Sequence, residues 1–167
     1  FIKNKEKLST LSTQKDEEMI KDLSSQIIKL GGKPNIENKD LKELIKNLTR
    51  QLEQLNVSSV LKDKTKNIIN DQKIKDIKVR FQKVIDLPPK DLRKLVDNGK
   101  KELGDGIIIV FATNEDKVGL AVGITEKLVD KYDAVQFAKL GSETIGGKGG
   151  GGRKDFAQAG GQDHAKI

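Results

Sequence analysis

The residues best suited to chemistry lie in one glycine-rich stretch, GGKGGGGRKDFAQAGG, at positions 146–161. Glycine loses more conformational freedom on folding than any other residue, so a run this dense indicates that the backbone itself has a task. Lys148, Arg153 and Lys154 lie inside the run. Consecutive backbone N–H groups can form an anion-binding concavity, and neighbouring cations add charge to it. The stretch therefore predicts an ordered loop that binds an anion such as phosphate.

The alternative for this stretch is a flexible linker, which usually mixes serine with glycine and lacks large apolar residues. Here Leu140 and Ile145 precede the stretch, and Phe156 lies within it. The composition therefore favours an ordered loop. The predicted anion ligands are the cations, the glycine amides and one amide side chain: Lys148, Gly149, Gly150, Gly151, Gly152, Arg153, Lys154 and Gln158.

The composition favours a polyanionic partner. The 167 residues include 32 Lys and Arg against 25 Asp and Glu, a formal net charge of +7, and basic surfaces attract nucleic acid.

Cysteine is absent, which excludes disulfides and Cys-ligated zinc. No apolar run approaches the roughly 20 residues of a membrane span, and no secretory signal is visible. We expect a cytoplasmic chain without a membrane partner, and a piece of a longer polypeptide because position 1 is Phe1 rather than Met.

Residues 1–56 have the pattern of a helical arm. Apolar residues recur at steps of three and four, which places them in one stripe along each of two helices. Gly31 and Gly32 should end the first helix, and Asn38 or Asp40 should begin the second. The short connection predicts an antiparallel hairpin. The predicted stripes are Ile20, Leu23, Ile27 and Leu30, and then Leu41, Ile45, Leu48, Leu52 and Leu55.

The second helix of the arm also carries cations at helical spacing. They are Lys39, Lys42, Lys46 and Arg50. A solvated basic face explains such a set, while a contact with RNA or with a second copy of the chain is the functional alternative. Both interpretations stay open at this point.

Residues 57–167 have the pattern of a small mixed sheet with packed helices, an α/β (α+β) globule. Alternation predicts one half-buried strand, a continuous β-branched run predicts a central strand, and proline opens the helix between them. The glycine loop follows the last full helix, and another helix begins at the chain end. The predicted elements are a helix over 57–66, a strand over 77–85, a helix from Pro88 to Gly104, strands over 107–112 and 118–123, and helices over 125–131 and 134–145.

The glycine-rich stretch resembles the signature of the C-terminal domain of alanyl-tRNA synthetases, a domain also found appended to DHH-type phosphoesterases. Gly-Gly-Lys, the glycine run, Arg-x-Asp, Ala-Gln-Ala and Gly-Gly occur in the same order. Lys154 departs from the family, in which proline is common at this place. The resemblance covers the predicted elements of residues 57–167, whereas residues 1–56 are similar to the family only in being helical.

No catalytic constellation is visible in the sequence. His164 is the only histidine, so a paired-histidine metal site is excluded, and residues 149–154 do not fit the G-x-x-x-x-G-K-[ST] spacing of a phosphate loop. We therefore predict no catalytic residue, metal or cofactor here. The resemblance implies that aminoacylation and editing, with ATP, Mg and Zn, lie in upstream domains of the parent ligase.

The resemblance implies a C-terminal domain of an alanine–tRNA ligase that contacts the corner of the alanine-specific tRNA and aids aminoacylation and editing. Shape and phosphates would carry recognition, since duplex RNA hides its base edges. Arg80 is a further candidate contact, as are Lys42, Lys46 and Arg50 on the arm, which could also hold a homodimer together. The alternatives are a purely structural dimerisation module and the substrate-binding half of a DHH-family phosphoesterase acting on short nucleotides. That family typically has His beside the glycines, where this chain has Arg153 and Lys154.

Overall fold

The computed structural model describes residues 2–37 and 40–167, with the backbone alone described at residues 2–11 and 164. Over these residues the chain forms four α-helices and six strands. It divides into two compact units, Phe1–Ser59 and Val60–Ile167. The domain boundary that the sequence placed after residue 56 stays a prediction.

The first unit contains α1 (Ile2–Lys29) and most of α2 (Leu41–Lys62). The separate helix predicted over residues 57–66 is wrong, because α2 continues without a break to Lys62. Asp40 caps α2, since its Oδ1 accepts from the backbone N–H groups of Lys42 and Glu43 at 2.9 and 3.2 Å. Asn38, the other predicted start, lies outside the described residues.

The core of the first unit joins the two apolar stripes through Leu23, Ile27, Leu44 and Leu48. Ile27 and Leu48 are fully buried. Leu44 was missing from the predicted stripe, and Leu30, which was included, is 38% exposed. The packed surface of α2 is therefore wider than the narrow seam that the spacing suggested.

Glycine ends α1 as predicted. Gly31 has a φ of +78°, and the Gly31 and Gly32 N–H groups donate to the carbonyls of Ile28 and Ile27, both at 2.9 Å. This pair of bonds is typical of a helix that ends at glycine, which adopts a positive φ without the strain that a Cβ would cause. The following segment runs back along α2, because the Gln51 amide donates to Lys33 O at 2.7 Å.

The second unit is built on one six-stranded sheet of order β1-β2-β3-β4-β6-β5. The β2–β3 pair is parallel and the other pairs are antiparallel. The mixed-sheet fold class is confirmed. The elements are β1 (Asn67–Ile74), β2 (Ile77–Ile85), α3 (Leu92–Leu103), β3 (Gly106–Asn114), β4 (Lys117–Ile124), α4 (Ala134–Thr144), β5 (Gly150–Arg153) and β6 (Phe156–Gly161).

The helices α3 and α4 cover opposite faces of this sheet. A Cβ on Gly119 would meet Leu92 of α3 at 2.8 Å, whereas the next residue of β4, Leu120, contacts Gly141 of α4. Successive strand residues point to opposite faces, so the two helices sandwich the sheet. The β-branched strand β3 lies in its middle, with Ile108 fully buried toward α3, which confirms the predicted central strand.

Two stretches form strands that the sequence did not predict. β1 was missed because seven of its eight residues are exposed, so the alternation that reveals a half-buried strand is absent. Its turn to β2 uses Lys75 and Asp76, with φ of 46° and 68°, where Asn-Gly is the recognisable signal. The glycine run is not a loop but the hairpin β5–β6, because backbone pairing overrides the low strand propensity of glycine.

The smaller differences lie in the helices that follow β4 and β6. The helix predicted over residues 125–131 is only a 3-10 turn, Glu126–Leu128, and the chain end forms another, His164–Lys166. Leu140 of α4, although apolar, is 63% exposed. The buried face of α4 instead has Ala134, Ala138 and Ser142 at four-residue intervals, and these small residues let the helix approach the sheet closely.

The substitution Leu48→Asp should unfold the first unit, because burying an unpaired carboxylate in an apolar interface costs several kcal/mol. The second unit should keep its own melting transition. Far-UV circular dichroism, combined with limited proteolysis, measures both outcomes. Asn47→Asp places the same charge at the adjacent exposed position and should melt as the parent does. Simultaneous collapse of both units in Leu48→Asp alone would contradict their independence.

Candidate functional site

The glycine run forms a hairpin at one edge of the sheet. Gly150 pairs with Ala159 and Arg153 with Phe156, and β5 is the outermost strand. An edge strand directs part of its N–H and C=O groups away from its partner strand. The hairpin therefore presents glycine backbone, unscreened by side chains, at the surface of the second unit.

The turn of this hairpin is held by both helices. Lys154 O accepts from the Ala134 N–H at the start of α4, at 2.9 Å. Asp155 O accepts from Lys100 Nζ of α3 at 2.8 Å and from the Ile124 N–H at 2.9 Å. These bonds satisfy the turn carbonyls and hold the turn in place. The flexible-linker interpretation of the glycine run is therefore wrong.

A buried serine fixes the segment that leads into the hairpin. Ser142 is fully buried, and its Oγ accepts from the Gly149 N–H at 3.1 Å. Its carbonyl accepts from the Gly147 N–H at 2.8 Å. A Cβ on Gly147 would lie 2.0 Å from Gly160 O, so only glycine permits this approach. Sequence reasoning missed Ser142, because a single serine on a helix carries no distinguishing signal.

The structural reason that requires glycine differs among the glycines of β5. Gly152 has a φ of +155°, and a Cβ there would lie 2.3 Å from Phe156 O. Gly150 lacks a left-handed φ, but a Cβ would meet Gln158 O at 2.6 Å. A Cβ on Gly151 would meet nothing within 4 Å. A close backbone approach or a positive φ thus requires glycine at particular positions of β5, whereas Gly151 faces open space.

An open groove lies along this glycine backbone. Gly149, Gly150, Gly151 and Gln158 form it together with two lysines, Lys148 and Lys139, and it continues over Ala159 and Gly160. Both lysines are exposed, and neither forms an ion pair with another described residue. Lys139 comes from α4 and was not predicted, because only the fold brings position 139 beside the glycines. Two unpaired cations beside exposed glycine backbone suit an anion.

Arg153 and Lys154 lie at the turn end of the hairpin. The Arg153 side chain is 71% exposed, and its Nε lies 3.4 Å from Asp155 Oδ1. Lys154 is exposed as well. An exposed ion pair of this length contributes little stability, so Arg153 can exchange its partner for a phosphate at low cost.

The guanidinium of Arg80, which the sequence predicted as a tRNA contact, is ion-paired with carboxylates of its own unit. The residue is 8% exposed. Its Nε and Nη2 donate to the two carboxylate oxygens of Asp71 at 2.7 and 2.8 Å, and its Nη1 donates to Glu102. These bonds raise the pKa of Arg80 above its ordinary value, and the bond from Arg80 lowers the pKa of Asp71. Two carboxylates therefore already neutralise this cation.

The predicted cations of the arm belong to the first unit. Lys42, Lys46 and Arg50 lie at four-residue intervals on α2, and all three are exposed. Lys39 lies outside the described residues. The spacing produces one basic stripe along the helix, separate in sequence and in unit from the glycine hairpin.

The described part of the chain has no candidate metal site and no candidate membrane-spanning helix. Among residues 2–37 and 40–167, no group of three His, Cys, Asp or Glu side chains is arranged to hold a metal ion. The side chain of His164 is outside that description. No helix over the same ranges has both the length and the apolar character that crossing a membrane requires.

The family model that matches this chain covers residues of the second unit. The family model described as the DHHA1 domain matches residues 76–167. The alanine–tRNA ligase of Parvibaculum lavamentivorans is 46% identical over 97 residues, which are 58% of this chain and 11% of the relative. That of Rhodopseudomonas palustris is 49% identical over 92 residues, which are 54% of this chain and 10% of the relative. The chain thus spans about a tenth of the length of these relatives.

A solved structure shares the fold. The C-Ala domain from Aquifex aeolicus alanyl-tRNA synthetase superposes with a TM-score of 0.55 at 24% identity. The match covers 59% of this chain and 87% of that domain. The mixed sheet with its packed helices is therefore an arrangement that an experimentally solved domain also adopts.

The pair Gly152→Ala and Gly151→Ala tests whether the hairpin geometry requires glycine. Gly152→Ala should lower the free energy of unfolding of the second unit by about 1–3 kcal/mol, because it forces a Cβ onto a strained backbone position. Gly151→Ala should change that free energy by no more than about 0.5 kcal/mol, as expected for an open surface position. Urea denaturation followed by circular dichroism measures both. Equal stability of the two variants would show that the hairpin geometry is wrong.

Proposed function

The chain belongs to the DHHA1 domain family, and from that premise we propose that it is the tRNA-binding C-terminal part of an alanine–tRNA ligase. The observation that carries the proposal is the groove in which unpaired Lys139 and Lys148 flank exposed glycine backbone. The curated relatives described above are alanine–tRNA ligases, which favours the ligase over a DHH-family phosphoesterase. The net charge of +7 agrees with an RNA partner.

The groove would bind the sugar–phosphate backbone of the alanine-specific tRNA at its corner. Lysines act as point charges toward phosphate, and Arg153 can donate two parallel bonds. Gly151 leaves room for a phosphate to approach the backbone, because nothing lies within 4 Å of its missing Cβ. Contacts of this kind position an RNA by shape and charge rather than by base sequence.

In the intact ligase, these contacts would hold the tRNA while its acceptor end reaches the aminoacylation and editing sites. Those sites, with ATP, Mg and Zn, belong to upstream domains, and the residues of this chain bind and orient the tRNA. The protein would act in the cytoplasm, where aminoacylation of tRNA supports translation.

The first unit would add a second contact. The basic stripe of Lys42, Lys46 and Arg50 on α2 would lie along RNA phosphates, or the arm would join two subunits. Met19 and Ile28 of α1 are 52% and 61% exposed. These two residues lie nine positions apart, on opposite sides of the helix, so they form no single apolar patch, and RNA and a second subunit are alternative partners of the arm.

The binding of tRNA should weaken with salt, with a slope of log affinity against log salt of about −2 to −3, as three phosphate contacts require. Arg153→Ala should weaken binding by about 1–3 kcal/mol, the usual size for a charge-assisted hydrogen bond, and reduce the slope by about 1. Fluorescence anisotropy with labelled alanine tRNA measures both. Lys139→Ala should behave similarly.

Lys73→Ala is the matched control, because it removes an exposed cation from β1 at the opposite edge of the sheet. It should leave affinity nearly unchanged. If Lys73→Ala and Arg153→Ala lower affinity equally, only net charge matters and the groove is not the binding surface. An affinity that ignores salt would contradict phosphate binding altogether.

A further inference from the structure

A second concave site lies at the other end of the sheet, between β1, β2 and α3. It encloses a cavity of about 170 Å³ in the second unit. Leu61, Ile69 and Leu95 supply apolar walls, while Asn67, Gln82 and Asn98 supply carboxamides. The register places Ile69 opposite Gln82 and Asn67 opposite Val84. Alternate residues of neighbouring strands share a face, so these side chains line the α3 side of the sheet.

The charge balance of this cavity disfavours an anion. Arg80 and Glu102 also line it, and Arg80 bonds to both Asp71 and Glu102. One cation against two carboxylates leaves a local charge of −1. A phosphate would have to displace these partners, so the cavity suits a neutral group. It therefore differs in chemistry from the basic groove at the glycine hairpin.

Hydrogen bonds orient two of the three carboxamides of the cavity, those of Asn67 and Gln82. The Asn67 amide donates to Leu61 O at 3.0 Å, and its Oδ1 accepts from Gln82 Nε2 at 2.8 Å. Gln82 is only 6% exposed, and its Oε1 accepts no hydrogen bond from the described residues. Since no buried side-chain oxygen or nitrogen of the described residues lacks a partner, this oxygen reaches the open space of the cavity, where a ligand can donate to it. Asn98 adds an exposed donor and acceptor beside it.

We propose that this cavity binds a single unpaired nucleobase. A base has flat apolar faces for the walls of Leu61, Ile69 and Leu95, and a polar edge of donors and acceptors for Gln82 and Asn98. Carboxamides recognise base edges by paired hydrogen bonds, and proteins read RNA sequence chiefly from unstacked bases. The choice of RNA as the source of the base rests on the proposed function. Asn67 accepts a hydrogen bond from the Gln82 amide and so holds Gln82 in position, which makes Asn67 a positioning residue.

Free nucleosides test the cavity separately from the phosphate groove, because they carry no phosphate. Adenosine, guanosine, cytidine and uridine would be titrated to millimolar concentration into the full chain labelled with 15N. At least one nucleoside should shift the side-chain amide signals of Gln82 and Asn98 in saturable fashion. The backbone signals of Gly149 to Gly152 should stay unchanged.

Asn98→Leu should weaken the binding of that nucleoside by about tenfold, since it removes a hydrogen-bonding pair at an exposed position that the fold does not need. Asn47→Leu makes the same change at an exposed helical position outside the cavity and should have no effect. No shift with any nucleoside, or the same affinity in Asn98→Leu, would overturn the proposal. A shift confined to the glycine hairpin would do so as well.

The outcomes separate this proposal from the proposed function. Salt-dependent binding of tRNA without nucleoside binding would reject the cavity and leave the phosphate groove intact. Saturable nucleoside binding without tRNA binding would support the cavity and reject the assignment as a tRNA-binding domain.

Discussion

The close approach of the glycine run to Ser142 and to β6 is the constraint on which the candidate groove depends. A Cβ at Gly147 would collide with both Ser142 Oγ and Gly160 O. The buried hydroxyl of Ser142 in turn holds Gly149. Since the small residues of α4 let the helix approach the sheet, the hairpin can lie beside it. That proximity brings Lys139 of α4 to the glycine backbone.

The surroundings of each cation in the second unit determine whether its charge is neutralised or available to a ligand. Arg80 is nearly buried and neutralised by two carboxylates, so it stabilises the junction of β1, β2 and α3. Lys139 and Lys148 are exposed and unpaired among the described residues, so their charge is available to a ligand. One edge of the sheet therefore suits phosphate, while the cavity near the other suits a neutral polar group.

Much of the architecture was predictable from sequence, where burial leaves a periodic trace. The alternation in β2, the β-branched run of β3 and the apolar stripe of α3 each report which side chains meet the core. Glycine after α1 and after α3 marks helix ends through its tolerance of positive φ. The glycine-rich stretch also indicated the family and the chemical class of the candidate site, because its residue types suit a bare backbone beside cations.

Tertiary structure decided the strands and site residues that leave no periodic pattern in the sequence. β1 has no buried alternation, and its strand exists because β2 supplies the hydrogen bonds. The glycine run became a hairpin for the same reason, through pairing with β6. Lys139 and Ser142 lie beside the glycine stretch and Arg80 does not, because side-chain neighbours depend on how distant segments pack. The sequence by itself therefore determined the elements that have a buried periodic face and the chemistry of the glycine stretch, whereas long-range pairing determined the remaining strands and which charges remain free to bind.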